Sequence, residues 1–107
     1  MNLKTVILIP AYQPDKKLIS LLDVLKTQYC HIVLVDDGST GCEEIFAKAK
    51  ERVGVLLVHE VNKGKGAAIK TGLNYVLNNL KDIAGVVTVD ADGQHTPADI
   101  ANVAAKL

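Results

Sequence analysis

Residues 5–9 read Thr-Val-Ile-Leu-Ile, an uninterrupted apolar run of strand length near the start of a 107-residue sequence. The run shows no alternation of apolar and polar positions, which is typical of a strand that is buried on both faces. Three more apolar runs rich in Val, Ile or Leu follow, at residues 32–35, 55–58 and 86–89. The sequence therefore predicts four buried strands.

Stretches with helical spacing separate the predicted strands, because their apolar residues recur three or four positions apart. The three sets are Leu18, Leu21, Leu22 and Leu25, then Ile45, Phe46 and Ala49, then Ile69, Leu73, Val76, Leu77 and Leu80. A further helix is predicted over residues 97–107, since Thr96 can cap it and Pro97 suits its first turn. This alternation predicts an α/β fold, a doubly wound, mainly parallel sheet with helices on both faces.

Size, charge and cysteine content limit the classes of protein to which the chain can belong. We expect residues 1–107 to form a single domain. Twelve basic and twelve acidic residues cancel without any Lys/Arg block, which argues against a nucleic-acid surface or a polybasic membrane patch. Cys30 and Cys42 lack metal-ligand or disulfide-scaffold spacing, and the N-terminus does not resemble a signal peptide. We expect a cytoplasmic protein with reduced thiols and a small-molecule partner.

Polar residues follow each predicted strand. In a parallel α/β sheet the carboxyl ends of the strands lie at one edge, and ligands bind outside that edge. Tyr12 follows the first strand, the pair Asp36-Asp37 the second, a glycine-rich turn at residues 62–68 the third, and Asp90-Ala91-Asp92 the fourth. Any polar turn would make these loops soluble, so solubility does not explain this choice of residues. The pattern therefore indicates a ligand site at that edge.

Asp90-Ala91-Asp92 is an Asp-x-Asp motif. If the fourth strand continues through Asp90, the two carboxylates point to the same side and repel each other unless a cation or a proton compensates. Together with the amide oxygen of Gln94 they form an oxygen ligand set that suits Mg²⁺ or Mn²⁺. A polar turn that caps the strand is the structural alternative.

The segment at residues 36–40 also allows two interpretations. Ser39 or Thr40 can cap a helix that runs from Gly41 onward. This structural role does not require two adjacent acids at a sheet edge, so at least one of them is left to accept a hydrogen bond from a nucleobase.

The remaining strand-end segments also allow more than one interpretation. Residues 62–68 can present backbone N–H groups to a phosphate at the start of a helix, or can let that helix pack closely against the sheet. Tyr12 can stack on a nucleobase or pack locally. His31 and His59 flank predicted strands, and the sequence assigns them no role.

Four segments resemble, in their order and spacing, the family 2 glycosyltransferases of the GT-A type. The segments are Val6-Ile7-Leu8-Ile9-Pro10-Ala11-Tyr12, Val35-Asp36-Asp37-Gly38-Ser39, Asn62-Lys63-Gly64-Lys65-Gly66-Ala67-Ala68 and Val89-Asp90-Ala91-Asp92-Gly93-Gln94-His95. The last segment, continued to Pro97, is similar to dolichyl- or polyprenyl-phosphate mannose and glucose synthases. The resemblance covers essentially the whole chain and implies the Rossmann-like, nucleotide-binding half of that fold.

The resemblance implies a role for each strand-end segment. Asp92 and Gln94 are expected to hold a divalent metal ion, Mg²⁺ or Mn²⁺, on the diphosphate of a UDP- or GDP-sugar. The remaining implied residues are expected to bind the nucleotide-sugar. The base is expected at the first two loops, with Asp37 rather than Asp36 as the favoured acidic ligand of the base. The ribose or the sugar is expected near Asp90. These residues are Pro10, Ala11, Tyr12, Asp36, Asp37, Gly64, Lys65, Gly66, Asp90 and Ala91.

The implied reaction is the inverting transfer of a hexosyl group to an acceptor, such as a polyprenyl phosphate at a membrane. Family members continue well beyond the last motif with an acceptor half that carries the catalytic base. We therefore expect this chain to be a shortened glycosyltransferase that supplies sugar-donor binding alone, and to self-associate through its open sheet edge. The alternatives are a non-catalytic nucleotide-sugar-binding module, a receiver-type signalling domain, which would carry its acidic pair after the first strand, and a sugar-phosphate nucleotidyltransferase.

Overall fold

The structure, a computed structural model, describes residues 4–91 and shows strands and helices in strict alternation. The elements are β1 (Lys4–Ala11), α1 (Lys17–Leu25), β2 (His31–Asp37), α2 (Glu43–Lys50), β3 (Val55–His59), α3 (Lys65–Asn79) and β4 (Ile83–Thr88). All neighbouring strands are parallel, in the order β3-β2-β1-β4. The predicted doubly wound α/β fold is therefore confirmed. The helix predicted over residues 97–107 lies outside the described residues.

The sheet is covered on both faces, because successive residues of β1 point to opposite sides. Ile7 and Ile9 pack on one face with the leucines of α1 and with Phe46 of α2. Val6 and Leu8 pack on the other face against α3, where Ala68 and Val76 are buried. The central strand is thus buried throughout, as its continuous apolar run predicted.

Helix α3 approaches the sheet closely at Gly72, which is not one of the glycines at the start of the helix. A Cβ added at Gly72 would lie 2.2 Å from Cδ1 of Leu8, whereas at Gly64 or Gly66 it would meet nothing within 4 Å. Gly64 has φ +100°, a value that L-residues rarely adopt. Close packing therefore explains Gly72, whereas the positive φ explains the glycine at position 64.

One local prediction is wrong, and one condition that the sequence analysis stated is not met. Helix α2 begins at Glu43 with Cys42 before it, instead of at Gly41 behind a Ser39 or Thr40 cap. The left-handed conformation of Gly41, φ +70°, interrupts a helix there. Strand β4 ends at Thr88, so the condition under which the carboxylates of the Asp-x-Asp motif would converge along a strand is not met.

Helix α3 is the longest helix of the described part, with 15 residues. Within residues 4–91 no helix combines the length and the apolar content that crossing a membrane requires.

Candidate functional site

A cleft of about 490 Å³ opens at the carboxyl edge of the sheet. Strand β1 lies between β2 and β4, so the chain moves outward through β2 and β3 and then returns across the sheet to β4. This is a topological switch point, where doubly wound sheets place their ligand sites. The residues that line the cleft are Pro10, Ala11, Tyr12, Asp37, Asn62, Lys65, Asp90 and Ala91.

The cleft gathers most of the described residues that the sequence predicted, from all four strand ends. Asn62 is the one lining residue that was not among them. Asp36, Gly64 and Gly66 do not line the cleft. Asp92 and Gln94, the predicted metal ligands, lie outside the described residues.

The loop after β1 carries an exposed aromatic ring and is tied to the loop after β2. Tyr12 is 57% exposed at the cleft. The next residue, Gln13, has φ +50°; its N–H donates to Oγ of Ser39 at 2.9 Å, and its Oε1 accepts from the N–H of Thr40. Ser39 therefore joins two loops instead of capping α2.

The two adjacent acids diverge, because neighbours on a strand face opposite sides of the sheet. Asp36 accepts the N–H of Ser39 at 2.9 Å and lines a separate groove near Phe46 and Leu56. Only Asp37 faces the cleft, where its side chain is almost completely buried. Asp36 and Asp37 are therefore adjacent in sequence but do not lie together at the cleft.

The Asp37 carboxylate accepts hydrogen bonds from the last residue of β3 and from the loop that follows it. Oδ1 accepts from Nδ1 of His59 at 2.8 Å and from the N–H of Lys63 at 2.9 Å. Oδ2 accepts from Nδ2 of Asn62 at 3.1 Å and from the N–H of Gly64 at 2.9 Å. Burial on its own raises the pKa of Asp37, but the hydrogen bonds from His59, Lys63 and Gly64 outweigh burial and hold the pKa below its usual value.

His59 is a site residue that the sequence interpretation missed. It is the last residue of β3, it is buried, and Nε2 lies 2.8 Å from Oγ1 of Thr71 on α3 while Nδ1 faces Asp37. A signal existed: Val55 and Leu57 face α3, so the period of two along the strand places His59 on the same side. His31, which was also assigned no role, begins β2 at the opposite edge.

The loops after β2 and β3 touch through their backbones at Gly38. An added Cβ there would lie 2.2 Å from the backbone nitrogen of Asn62 and from the carbonyl carbon of Val61. Gly38 also has φ +74°. Only glycine satisfies both constraints, so this residue lets the two loops interlock.

The far side of the cleft carries an ion pair. Nζ of Lys65, the first residue of α3, lies 2.6 Å from Oδ1 of Asp90, just beyond β4. The Lys65 side chain is 62% exposed, so solvent screens the pair and its contribution to stability is small. Helix α3 begins at Lys65, so the positive end of the helix and this ammonium group together favour an anion.

A metal site is not formed by the described residues. Within residues 4–91 no three His, Cys, Asp or Glu side chains cluster closely enough to hold a metal ion. Of the three predicted oxygen ligands, Asp90 alone lies within the described residues, and it lines the cleft.

A polar cleft at the switch point of a doubly wound α/β sheet is where proteins of this fold class bind their ligands. Comparison with known proteins places the chain more closely. It belongs to glycosyl transferase family 2, whose profile matches residues 6–107. This confirms the resemblance that the four sequence segments indicated.

Named relatives include enzymes of lipid-linked sugar transfer. The chain is 36% identical, over 91% of its length and 44% of the relative's, to the UDP-N-acetylglucosamine–dolichyl-phosphate N-acetylglucosaminyltransferase of Methanococcus voltae. It is 34% identical, over 91% of its length and 31% of the relative's, to the undecaprenyl-phosphate 4-deoxy-4-formamido-L-arabinose transferase of Yersinia pestis.

An uncharacterised protein of Methanocaldococcus jannaschii is 39% identical over 91% of the chain and 39% of that relative. The chain thus spans less than half the length of these curated relatives. No solved structure gives a significant match.

Proposed function

We propose that the cleft binds the sugar donor, a UDP- or GDP-sugar, of a metal-assisted, inverting family 2 glycosyltransferase. The observation that carries this proposal is the meeting of Tyr12, Lys65 and Asp90 around one cleft at the switch point, in a chain of this family. An aromatic ring, a cation and an acidic oxygen correspond to the base, the diphosphate and the hydroxyl groups of such a molecule.

Each part of the sugar donor has a complementary group. The exposed ring of Tyr12 offers a stacking surface for the base, beside the backbone of Pro10 and Ala11. The ammonium group of Lys65 and the N-terminus of α3 face the diphosphate. Asp90, with Ala91 beside it, accepts hydrogen bonds from the ribose or the transferred sugar. Binding replaces the Lys65–Asp90 ion pair with contacts to the ligand.

We place Asp92 and Gln94 at a divalent metal ion, Mg²⁺ or Mn²⁺, since the enzymes of this family generally use such ions. When bound, the ion supplies positive charge that offsets the charge on the departing nucleoside diphosphate. Lys65 adds a second cation on the same side of the ligand, and it is supplied by the chain itself.

The acceptor we propose is a polyprenyl phosphate, because two of the named relatives act on dolichyl or undecaprenyl phosphate. A lipid acceptor implies a reaction at a membrane, and we propose its cytoplasmic face. The acceptor site and the catalytic base then belong to the part of the relatives that the matched residues do not cover.

Calorimetric titration tests the proposal. UDP-N-acetylglucosamine, UDP-glucose and GDP-mannose are each added to the 107-residue chain with Mn²⁺ and with EDTA. We expect one of them to bind in a metal-dependent manner and to lose affinity in Asp92→Ala. Glu51→Ala is the control, since Glu51 is exposed at the end of α2 and so lies at the opposite edge of the sheet. Absence of binding by all three, with and without Mn²⁺, would contradict the proposal.

A further inference from the structure

The ring of Tyr12 is not held in place by burial. Tyr12 is 57% exposed, whereas Ala11 before it is buried at the end of β1. An exposed ring takes its position from the backbone that carries it. That backbone is fixed on one side by the central strand of the sheet, so the orientation of the ring depends on the other side, at Gln13.

Gln13 has an unfavourable backbone conformation that a second loop stabilises. Its φ of +50° lies in the left-handed region, which residues with a Cβ atom rarely adopt. The N–H of Gln13 donates to Oγ of Ser39 at 2.9 Å, and its Oε1 accepts from the N–H of Thr40. These partners are 26 and 27 residues away, in the loop after β2. The conformation beside Tyr12 therefore depends on contacts between two loops.

Asp36 holds the Ser39 end of this connection. Its Oδ1 accepts the N–H of Ser39 at 2.9 Å, so Ser39 donates to Asp36 and accepts from Gln13. Asp36 belongs to β2, which pairs with both β1 and β3. The network of Gln13, Ser39 and Asp36 thus joins the loop after β1 to the interior of the sheet. Asp36 does not line the cleft, so its influence on a ligand there passes through this network.

We propose that Gln13, Ser39 and Asp36 are positioning residues, which hold the ring of Tyr12 in the orientation that stacks on the nucleobase. In place of the direct contact that the family resemblance implies, Asp36 acts through its hydrogen bond to Ser39. The statement about stacking rests on the function proposed above, whereas the statement about the loop can be tested without any ligand.

The first test measures the mobility of the loop without a ligand. Ser39→Ala removes the acceptor of the Gln13 N–H, whereas Ser39→Thr keeps a hydroxyl group there. Thr27→Ala is the control, because it also removes an exposed side-chain hydrogen bond, to the carbonyl of Val24. The order parameters of the Tyr12 and Gln13 amides are measured by NMR relaxation.

We expect order parameters of about 0.85 in the wild type, in Ser39→Thr and in Thr27→Ala, since the network or its equivalent is intact in each. In Ser39→Ala they should fall below about 0.6, the value of a flexible backbone. Equal order parameters in Ser39→Ala and Ser39→Thr would overturn the positioning role.

The second test asks whether Asp36 acts through the ring of Tyr12. The affinities of UDP and GDP with Mg²⁺ are measured by calorimetry for the wild type, Asp36→Ala, Tyr12→Ala and the double variant. For the nucleotide that binds, we expect Tyr12→Ala to weaken binding about 10-fold and Asp36→Ala about 5-fold. The double variant should bind no more weakly than Tyr12→Ala. If the two effects multiply, or if Asp36→Ala has no effect, the proposal is wrong.

Asp36→Asn separates the position of the acceptor from its charge. The amide oxygen of Asn can accept the N–H of Ser39 as a carboxylate oxygen does. We therefore expect Asp36→Asn to bind the nucleotide with wild-type affinity. If Asp36→Asn and Asp36→Ala lose affinity equally, the charge of Asp36 acts on the ligand itself, and the positioning role is overturned.

The two kinds of measurement separate the positioning role from the proposed function. If the wild type binds neither UDP nor GDP, the proposed function fails, while the order parameters still decide whether the network holds the loop. If Ser39→Ala does not fold, Gln13→Ala replaces it, and Gln13→Glu, which keeps an acceptor oxygen, replaces Ser39→Thr. Equal order parameters at Tyr12 in these two variants would then overturn the positioning role.

Discussion

The two sides of the cleft are built differently. On one side the loops after β2 and β3 interlock through Gly38 and through the buried hydrogen bonds of Asp37. On the other side a single exposed ion pair joins Lys65 to Asp90. We call these the interlocked side and the ion-pair side. One half of the site is therefore part of the fold, while the other half is held weakly enough to change partners when a ligand binds.

The largest expected effect comes from removing Asp37. Asp37→Ala leaves the imidazole of His59 and the N–H groups of Lys63 and Gly64 without their buried acceptor, which should lower the free energy of unfolding by about 3 kcal/mol. Urea denaturation measures the change. A loss below about 1 kcal/mol would show that the interlocked side contributes little to the fold.

Gly38→Ala should be nearly as damaging, and Gly41→Ala is its matched control. Both glycines have similar left-handed φ values, +74° and +70°, but only at Gly38 would a Cβ meet backbone atoms, at 2.2 Å. We expect about 1 kcal/mol of destabilisation at Gly41, from the conformation alone, and about 3 kcal/mol at Gly38. Similar thermal denaturation midpoints for the two variants would contradict the interlock.

The loss of stability at acid pH should depend in part on Asp37. Its pKa is lowered in the folded state, so the associated stability is present above the unfolded pKa of about 4 and is lost as the pH falls through the folded pKa. The free energy of unfolding is measured from about pH 2 to about pH 6, the range in which carboxylates titrate. In Asp37→Asn it should fall less steeply with decreasing pH than in the wild type.

Asp23 provides the contrast for that pH series. Its pKa is also lowered, chiefly by the hydrogen bond from Arg52, but it lies at the surface. About 1 M NaCl should remove the contribution of Asp23 and leave that of Asp37, because salt screens exposed charges. If salt removes the whole pH dependence of the free energy of unfolding, surface charges cause the loss of stability at acid pH.

On the ion-pair side, Lys65→Met should change affinity without changing stability. We expect the nucleotide-sugar to bind about 10-fold more weakly, since a charge-assisted contact to phosphate is lost, while the denaturation midpoint stays the same. Lys70→Met is the control, because Lys70 is an exposed lysine on the same helix. Equal affinities for the two variants would remove Lys65 from the diphosphate site.

The sequence predicted most of the fold because the decisive signals are local. Continuous apolar runs marked all four strands, and the residues that follow them meet at one edge, as the topology requires. The boundaries of the elements were predicted less accurately than their types. Gly41 delays α2, and β4 ends before Asp90.

The partners of Asp37 could not be predicted from motif spacing. His59, Asn62 and Gly64 are 22 to 27 residues away in the chain, and their meeting depends on how two loops pack. The acidic pair drew attention because its residues are adjacent, yet adjacency on a strand is what separates Asp36 from Asp37. The alternation along β3 was the available signal for His59, and it concerns burial, which a motif search does not consider.

The most direct test of the central claim, that the cleft is the nucleotide-sugar site, is a backbone amide NMR titration with UDP-N-acetylglucosamine and with GDP-mannose in the presence of Mg²⁺. We expect saturable shift changes for one of them, concentrated at residues 11–13, 62–66 and 90–91. Changes centred instead on the groove near Phe46 and Leu56, or no saturable change with either nucleotide-sugar, would contradict this claim.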